Sequence, residues 1–75
     1  DFKSRIIEWG QKNREEIIFI CDEEQNSSEN SPIFVSYVKI NEKEIGKGTG
    51  YSKKEAEQNA AENALLKISD LNNYS

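Results

Sequence analysis

The chain has 75 residues, 35% of them hydrophobic and 32% charged, with a formal net charge of −4. This length allows one small domain with a single core. One cysteine and no histidine exclude an internal disulfide and the usual Cys/His zinc sites, and no apolar run approaches the roughly 20 residues of a membrane span. We therefore expect a soluble, cytoplasmic domain, and the absence of a starting methionine predicts a piece of a longer protein.

The first predicted element is a helix that begins after an N-cap at Asp1 and ends at about Arg14. At 100° per residue, one stripe of this helix is assigned to the core and the adjoining arc to solvent. The core stripe comprises Phe2, Ile6, Trp9, Gly10 and Asn13, and the exposed arc comprises Ser4, Ile7, Glu8 and Gln11.

Three strands are predicted to follow. They are Ile17–Asp22, Ile33–Ile40 and the glycine-rich segment Glu44–Gly50. The polar run Gln25–Pro32 predicts a loop, and Asn41-Glu42-Lys43 predicts a hairpin turn. Alternation in the second strand separates two faces, Phe34, Val38 and Ile40 on one and Ile33, Val35 and Tyr37 on the other.

The last predicted element is a helix that starts at Lys53. Ser52 and Glu55 have the spacing of a capping box, in which two side chains satisfy backbone N–H groups at the helix start. Its apolar face is rich in small residues and comprises Ala56, Ala60, Ala61, Ala64, Leu65 and Ile68. We expect the domain to cover residues 1–69 and residues 70–75 to form a frayed tail.

Acidic residues are concentrated in one part of the chain. Residues 15–29 hold six acids and no base, and without these six charges the chain would carry +2 instead of −4. Most of the acidity therefore lies in the first strand and the loop after it. A basic surface elsewhere on the domain is compatible with the negative total.

Lys53 and Lys54 lie in the first turn of the last helix, directly after a glycine-rich segment. Basic residues are unfavourable at this end of a helix unless an anion is bound there. Free N–H groups, two ammonium groups and glycines together predict a phosphate-binding site. The alternative is a solvated helix start in which Glu57 pairs with Lys53.

Several other chemistries are not supported. Tyr51 stands where the P-loop and dinucleotide motifs both require glycine. A calcium loop over residues 22–33 would place Ser27 at the glycine position and Ile33 at the closing glutamate. We find no plausible nucleophile pair and no acid cluster with metal-ligand spacing. We therefore predict no catalytic residue, no metal site and no cofactor in this segment.

The helix and strand order and one motif resemble the double-stranded-RNA-binding domain. Its signature is G-x-G-x-S-K-K-x-A followed by paired alanines, and the matching residues are Gly48, Gly50, Ser52, Lys53, Lys54, Ala56, Ala60 and Ala61. The opening DFKSRIIEWGQK resembles the start of the C-terminal domain of bacterial ribonuclease III. The resemblance covers residues 1–68 and implies an α+β fold, with two helices packed on one face of a three-stranded antiparallel sheet.

The resemblance also implies a function and site residues. Such domains recognise the shape of duplex RNA over about 16 base pairs. By the resemblance, Lys53 and Lys54 would contact phosphates across the major groove, beside Gly50 and the helix end capped by Ser52. The RNA-binding residues in a minor groove would be Ser4, Glu8 and Gln11. The resemblance further implies a homodimeric parent that cleaves RNA with Mg²⁺ in a catalytic domain outside this chain.

Two positions and one loop depart from the family pattern. Ile7 replaces a glutamine, Glu57 replaces a third helix lysine, and the loop 25–32 lacks the usual Gly-Pro and histidine. We therefore expect modest, salt-sensitive binding. The rival hypothesis is a domain of the same fold that mediates protein contacts. Tyr51 is predicted either to pack on the helix or to touch RNA, and Cys21 to be a small strand residue.

Overall fold

The computed structural model describes residues 1–25 and 32–72. It contains α1 (Phe2–Asn13), β1 (Ile17–Gln25), β2 (Pro32–Ile40), β3 (Lys43–Gly50) and α2 (Lys53–Asn72). The strands form an antiparallel sheet in the order β1-β2-β3. The predicted α+β class and α-β-β-β-α order are confirmed. Neither helix in the described part of the chain is long and apolar enough to cross a membrane.

Both ends of α1 are capped by local contacts. The Asp1 carboxylate accepts a hydrogen bond from the backbone N–H of Ser4 at 2.7 Å, as expected of an N-cap. Arg14 ends the helix in the left-handed region, with φ 56° and ψ 40°, and its N–H donates to the carbonyl of Gly10. The predicted helix is confirmed, and its boundary agrees to within one residue.

Strand β1 is three residues longer than predicted and ends at Gln25 instead of Asp22. Glutamate has a low strand propensity, which is why the sequence pattern ends the strand early. In the structure Glu23 pairs with Phe34 and Glu24 with Ile33, so pairing with β2 outweighs this propensity. Of the predicted loop Gln25–Pro32, both end residues belong to strands, and residues 26–31 lie outside the described residues.

The β2–β3 hairpin turns on two residues. Asn41 and Glu42 both have positive φ, 50° and 72°, as in the type I′ turns that fit the twist of a hairpin. Lys43 therefore opens β3 instead of belonging to the turn. The Asn41 N–H donates to the Glu16 carbonyl, and the Glu16 N–H donates to the Asn41 side-chain oxygen, both at 3.1 Å. The hairpin tip thereby holds the α1–β1 connection.

The core lies between the helices and one face of the sheet. Its buried members are Ile6, Val38, Ala60, Ala61, Ala64 and Ile68, with half-buried Phe2, Trp9, Ile17, Phe19, Ile40, Ile45 and Leu65 packed around them. The face predicted to hold Val38 and Ile40 is thus the one that the helices cover. Trp9 packs against this core, as its place on the helix stripe predicts.

Helix α2 is also fastened to β3 by side-chain amides. Asn59 donates to the carbonyl of Thr49, and Asn63 donates to the carbonyl of Lys47, each at 2.7 Å. Because β3 is an edge strand, these bonds satisfy carbonyls that no neighbouring strand reaches. They fix the middle of α2 against the second half of β3.

Helix α2 continues past residue 69, the boundary predicted for the domain. It includes residues 70–72, and residues 73–75 lie outside the described residues. Leu71 lines a small apolar cleft with Trp9 and Ile68. Leu71 is nevertheless 60% exposed, so most of this residue lies outside the cleft.

Candidate nucleic-acid interface

Glycines in β3 allow the backbone of α2 to approach the sheet closely. A Cβ atom on Gly46 would lie 2.5 Å from the Ala60 carbonyl oxygen, and one on Gly48 would lie 2.6 Å from the carbonyl carbon of Asn59. Both distances are shorter than real Cβ contacts. The glycines and the alanines of α2 therefore form one close-packed interface, which fixes the start of α2 beside the end of β3.

The start of α2 has the predicted cap. Ser52 Oγ accepts a hydrogen bond from the Glu55 N–H at 3.1 Å. Glu55 reaches back to the backbone N–H of Tyr51 at 3.4 Å, one residue earlier than the Ser52 N–H of a standard capping box. The serine half of the box is confirmed, and the glutamate bond is displaced by one residue.

We expect Ser52→Ala to destabilise the domain by about 1 kcal/mol, because it removes the acceptor for an N–H at the helix start. Urea denaturation followed by circular dichroism measures the change. Ser69→Ala, at an exposed position in the same helix, is the control and should change stability by less than about 0.5 kcal/mol. Equal stability of the two variants would contradict a capping role for Ser52.

Lys53 and Lys54 are exposed at this helix end. Among residues 1–25 and 32–72, the ion pair joins Lys3 and Glu57, and neither Lys53 nor Lys54 takes part in one. The alternative in which Glu57 pairs with Lys53 is therefore wrong, because the Glu57 carboxylate faces α1 instead. Two ammonium groups next to a helix N-terminus form a local positive site on an acidic chain.

The predicted exposed arc of α1 is confirmed. Ser4, Ile7, Glu8 and Gln11 are all exposed, whereas Ile6 and Gly10 are buried. Ser4 and Gln11 are seven residues apart, which corresponds to roughly 10 Å along a helix. The arc therefore presents a polar strip two turns long, interrupted by the Ile7 side chain.

Two contacts place the start of α1 against the first turns of α2. Lys3 Nζ lies 3.1 Å from Glu57 Oε1, and the backbone N–H of Phe2 donates to Gln58 Oε1 at 2.9 Å. Ser4 follows these residues directly. The structure thus brings the near end of the arc close to the turn that carries Lys53, while Gln11 lies at the far end of α1.

A family model described as the double-stranded RNA binding motif matches residues 2–68. The chain belongs to this family. Its double-stranded-RNA-binding domain is 50% identical over 68 residues to ribonuclease 3 of Bacteroides fragilis, covering 91% of this chain and 23% of that protein. It is 48% identical over 69 residues to ribonuclease 3 of Shouchella clausii, covering 91% and 26%. The chain thus spans about a quarter of the length of these relatives.

Solved structures show the same fold. The domain is similar to Arabidopsis HYL1, described for its implications for miRNA processing, with 31% identity and a TM-score of 0.77 over 91% of this chain and 96% of that one. It is also similar to DRB4 containing both of its double-stranded-RNA-binding domains, with 27% identity and a TM-score of 0.74 over 92% and 44%. The resemblance to the ribonuclease III double-stranded-RNA-binding domain is confirmed.

Tyr51 and Cys21 differ in their exposure to solvent. Tyr51 is 65% exposed, which does not favour packing on the helix, and its contact with RNA stays a prediction. Cys21 is half-buried and lies opposite Ser36 of β2. Burial raises the pKa of the Cys21 thiol, and the nearby Glu57 carboxylate raises it further. A thiol with a raised pKa is a poor nucleophile at neutral pH.

The sequence pattern did not single out Lys3 and Gln58, which join the two helices. Phe2 and Lys3 are separated from α2 by about 50 residues, and no local spacing relates them. The one available signal was Glu57, an acid beside two lysines in the first turns of a helix. An acid there suggests a basic partner, but not which one.

Proposed function

We propose that this domain binds duplex RNA through Lys53 and Lys54 on the phosphates and the exposed arc of α1 in a minor groove. The observation that carries the proposal is the pair of exposed lysines that no carboxylate of the described residues neutralises, at a capped helix end. Family membership supports duplex RNA as the ligand. Helix N–H groups and ammonium groups are the donors that phosphate oxygens prefer.

Each part of the surface has a role in this proposal. Gly50 and Ser52 form the turn from which the lysines project, so that they reach phosphates on both sides of the deep, narrow major groove. Ser4, Glu8 and Gln11 hydrogen-bond to 2′-hydroxyls and base edges in the shallow minor groove. Such contacts read the shape of an A-form duplex and largely ignore its sequence.

Two departures from the family pattern limit the affinity. Ile7 offers an apolar contact where a glutamine would hydrogen-bond, and Glu57 adds a negative charge close to the phosphates. Of the third departure, the loop 25–32, residues 26–31 lie outside the described residues. We expect an affinity that falls steeply with salt, because phosphate contacts dominate it.

The similarity to ribonuclease 3 proteins supports a wider proposal. In that proposal the domain is part of a cytoplasmic, homodimeric ribonuclease III and holds duplex RNA for Mg²⁺-dependent cleavage and RNA processing by a separate catalytic domain. Within the described residues, no group of three metal-ligating side chains comes together. In this proposal any Mg²⁺ is held by the separate catalytic domain, and the present domain supplies RNA binding.

One observation favours the second candidate function, protein contacts. Ile18 and Ile20, on the sheet face that the helices leave open, are 40% and 38% exposed. Asp22 and Glu24 follow them on the same face of β1. This face resembles neither the lysine pair nor the polar arc, so protein binding and RNA binding would use different surfaces.

Titration with three nucleic acids tests the proposed function. We expect the domain to bind a 20-base-pair RNA duplex much more tightly than single-stranded RNA or duplex DNA of the same sequence, because the contacts require an A-form duplex. Fluorescence anisotropy at two or more salt concentrations gives the affinities and the salt slope. Equal binding of all three would indicate attraction by charge alone, and no binding of the duplex would favour the protein-contact function.

A further inference from the structure

The two RNA-contacting elements are joined by a small set of contacts between α1 and α2. Lys3 Nζ lies 3.1 Å from Glu57 Oε1, and the Phe2 N–H donates to Gln58 Oε1 at 2.9 Å. We refer to Phe2, Lys3, Glu57 and Gln58 as the helix clasp. It links the first turn of α1 to the second turn of α2.

The ion pair of the clasp differs from an ordinary surface pair. The Glu57 side chain is only 12% exposed, and that of Lys3 is 39% exposed. Lys3 Nζ also lies 5.3 Å from the centroid of the Phe19 ring, within the range of a cation–π interaction. Exposed ion pairs contribute little because water screens them, whereas the Lys3 ammonium here is held by a carboxylate on one side and a ring on the other.

The hydrogen bond to Gln58 satisfies the backbone N–H of Phe2, which has no acceptor within its own helix. Phe2 is the first residue of α1, and the N–H groups of a first helical turn have no partner within the helix. Asp1 satisfies the N–H of Ser4, and Gln58 of another element satisfies the N–H of Phe2. The start of α1 is therefore fastened to α2 through its backbone.

The far end of α1 is held by different contacts. Arg14 caps the helix, and the following Glu16 exchanges two hydrogen bonds with Asn41 at the hairpin tip. The clasp is thus the polar attachment at the end of α1 that lies nearest to Lys53. If the clasp is removed, the apolar contacts around Ile6 are what holds the start of α1 against the rest of the domain.

We propose that Glu57 and Gln58 are positioning residues for RNA binding, which act by holding the exposed arc of α1 at a set distance from Lys53 and Lys54. This inference rests on the proposed function. A duplex is stiff, and its major and minor grooves have a fixed spacing. Two binding elements that are held at the matching spacing can both bind the duplex without the entropy cost of ordering one of them.

The inference predicts an effect opposite in sign to simple electrostatics. Glu57 repels phosphates, so its removal would strengthen binding if only charge mattered, and a freed Lys3 would strengthen it further. If Glu57 positions α1, its removal weakens binding instead. The sign of the change therefore separates the two accounts.

The test compares three variants with the unaltered domain on a 20-base-pair RNA duplex. Glu57→Ala with Gln58→Ala removes the clasp, and alanine suits a helix. We expect this variant to bind the duplex about tenfold more weakly, which is within the range of couplings between contacting groups. The salt slope should not change, because Lys53 and Lys54 still contact phosphates. Glu57→Gln, which can still accept a hydrogen bond from Lys3, should recover part of the loss.

Glu62→Ala is the matched control, because it removes the same charge from α2 at a position that lines the β3 side of the helix. Circular dichroism establishes that each variant is folded at the temperature of the titration. Residual dipolar couplings of the free protein measure the angle between α1 and α2, which should change in the clasp variant and not in Glu62→Ala.

Unweakened binding by the clasp variant, an equal loss in Glu62→Ala, or a loss accompanied by a change of about one in the salt slope would overturn the positioning role. An unchanged angle between the helices would also overturn it. Each of these results leaves the proposed function intact if the unaltered domain binds the duplex. If the unaltered domain does not bind, the proposed function fails, and the positioning role fails with it.

Discussion

Lys53→Ala combined with Lys54→Ala is expected to abolish binding to duplex RNA while the domain stays folded. Each lysine that leaves a phosphate should reduce the salt slope by about one. The affinity for a 20-base-pair duplex should fall by at least about 100-fold, since each contact to a charged group contributes roughly 1.5–3 kcal/mol. Anisotropy titrations at several salt concentrations measure both quantities.

The control for this prediction is Lys43→Ala combined with Lys67→Ala. These lysines are also exposed, and their removal changes the net charge by the same amount. They lie at the start of β3 and in the second half of α2, away from the proposed contacts. A comparable loss of affinity in this control would mean that overall charge, and not a site at the start of α2, holds the RNA.

Stability should respond in the opposite direction to binding. Lysine in a first helical turn is unfavourable by a few tenths of a kcal/mol, because the helix N-terminus is itself positive. Replacing Lys53 and Lys54 should therefore leave the free energy of unfolding unchanged or slightly increased. Lower affinity with equal or higher stability is the signature of residues retained for binding.

The sequence was most informative where a local rule decides the structure. Asp1 caps α1, and Ser52 caps α2, because a capping residue acts within three residues of itself. The small residues on the apolar face of α2 were identified from their helical periodicity, whereas the close contact of Gly46 and Gly48 with that helix is a finding of the structure. The exposed arc of α1 followed from the same periodicity.

Two of the predictions that failed concerned partners distant in the chain. Glu57 was assigned to its neighbour Lys53 in one alternative, yet its carboxylate contacts Lys3 on the other helix. The end of β1 was set too early because Glu23 and Glu24 are poor strand residues by themselves, whereas their pairing with β2 decides the outcome. In both cases tertiary contacts, which spacing does not encode, determine the structure.

Gly48→Ala is expected to destabilise the domain more than any other single substitution considered for this chain. The new Cβ atom would collide with the backbone nitrogen of Ala60 and lie 2.6 Å from the carbonyl carbon of Asn59 and 2.8 Å from the carbonyl oxygen of Ala56. All three are backbone atoms, so no side-chain rotation relieves the overlap. Helix α2 would have to move away from β3.

Such a movement would disrupt several contacts at once. The buried faces of Ala60 and Ala64 would lose their partner strand, and the hydrogen bonds from Asn59 and Asn63 to β3 would lengthen. We expect a loss of about 3 kcal/mol or more. For a domain of this size, that corresponds to a fall of roughly 12–24 °C in Tm, measured by thermal denaturation.

Two comparisons make the Gly48 prediction specific. Thr49→Ala alters the adjacent exposed residue of the same strand and should cost about 1 kcal/mol or less. Gly50→Ala should fall between the two, because its new Cβ would lie 2.7 and 2.8 Å from Cγ and Cβ of Glu55 and 2.9 Å from the backbone nitrogen of Ala56, which is less severe than the backbone collision at Gly48. A Tm for Gly48→Ala equal to that for Thr49→Ala would mean that α2 does not approach β3 as closely as the structure has it. The packing that fixes the start of α2, with its two lysines, beside the end of β3 would then be looser than the contacts at Gly48 indicate.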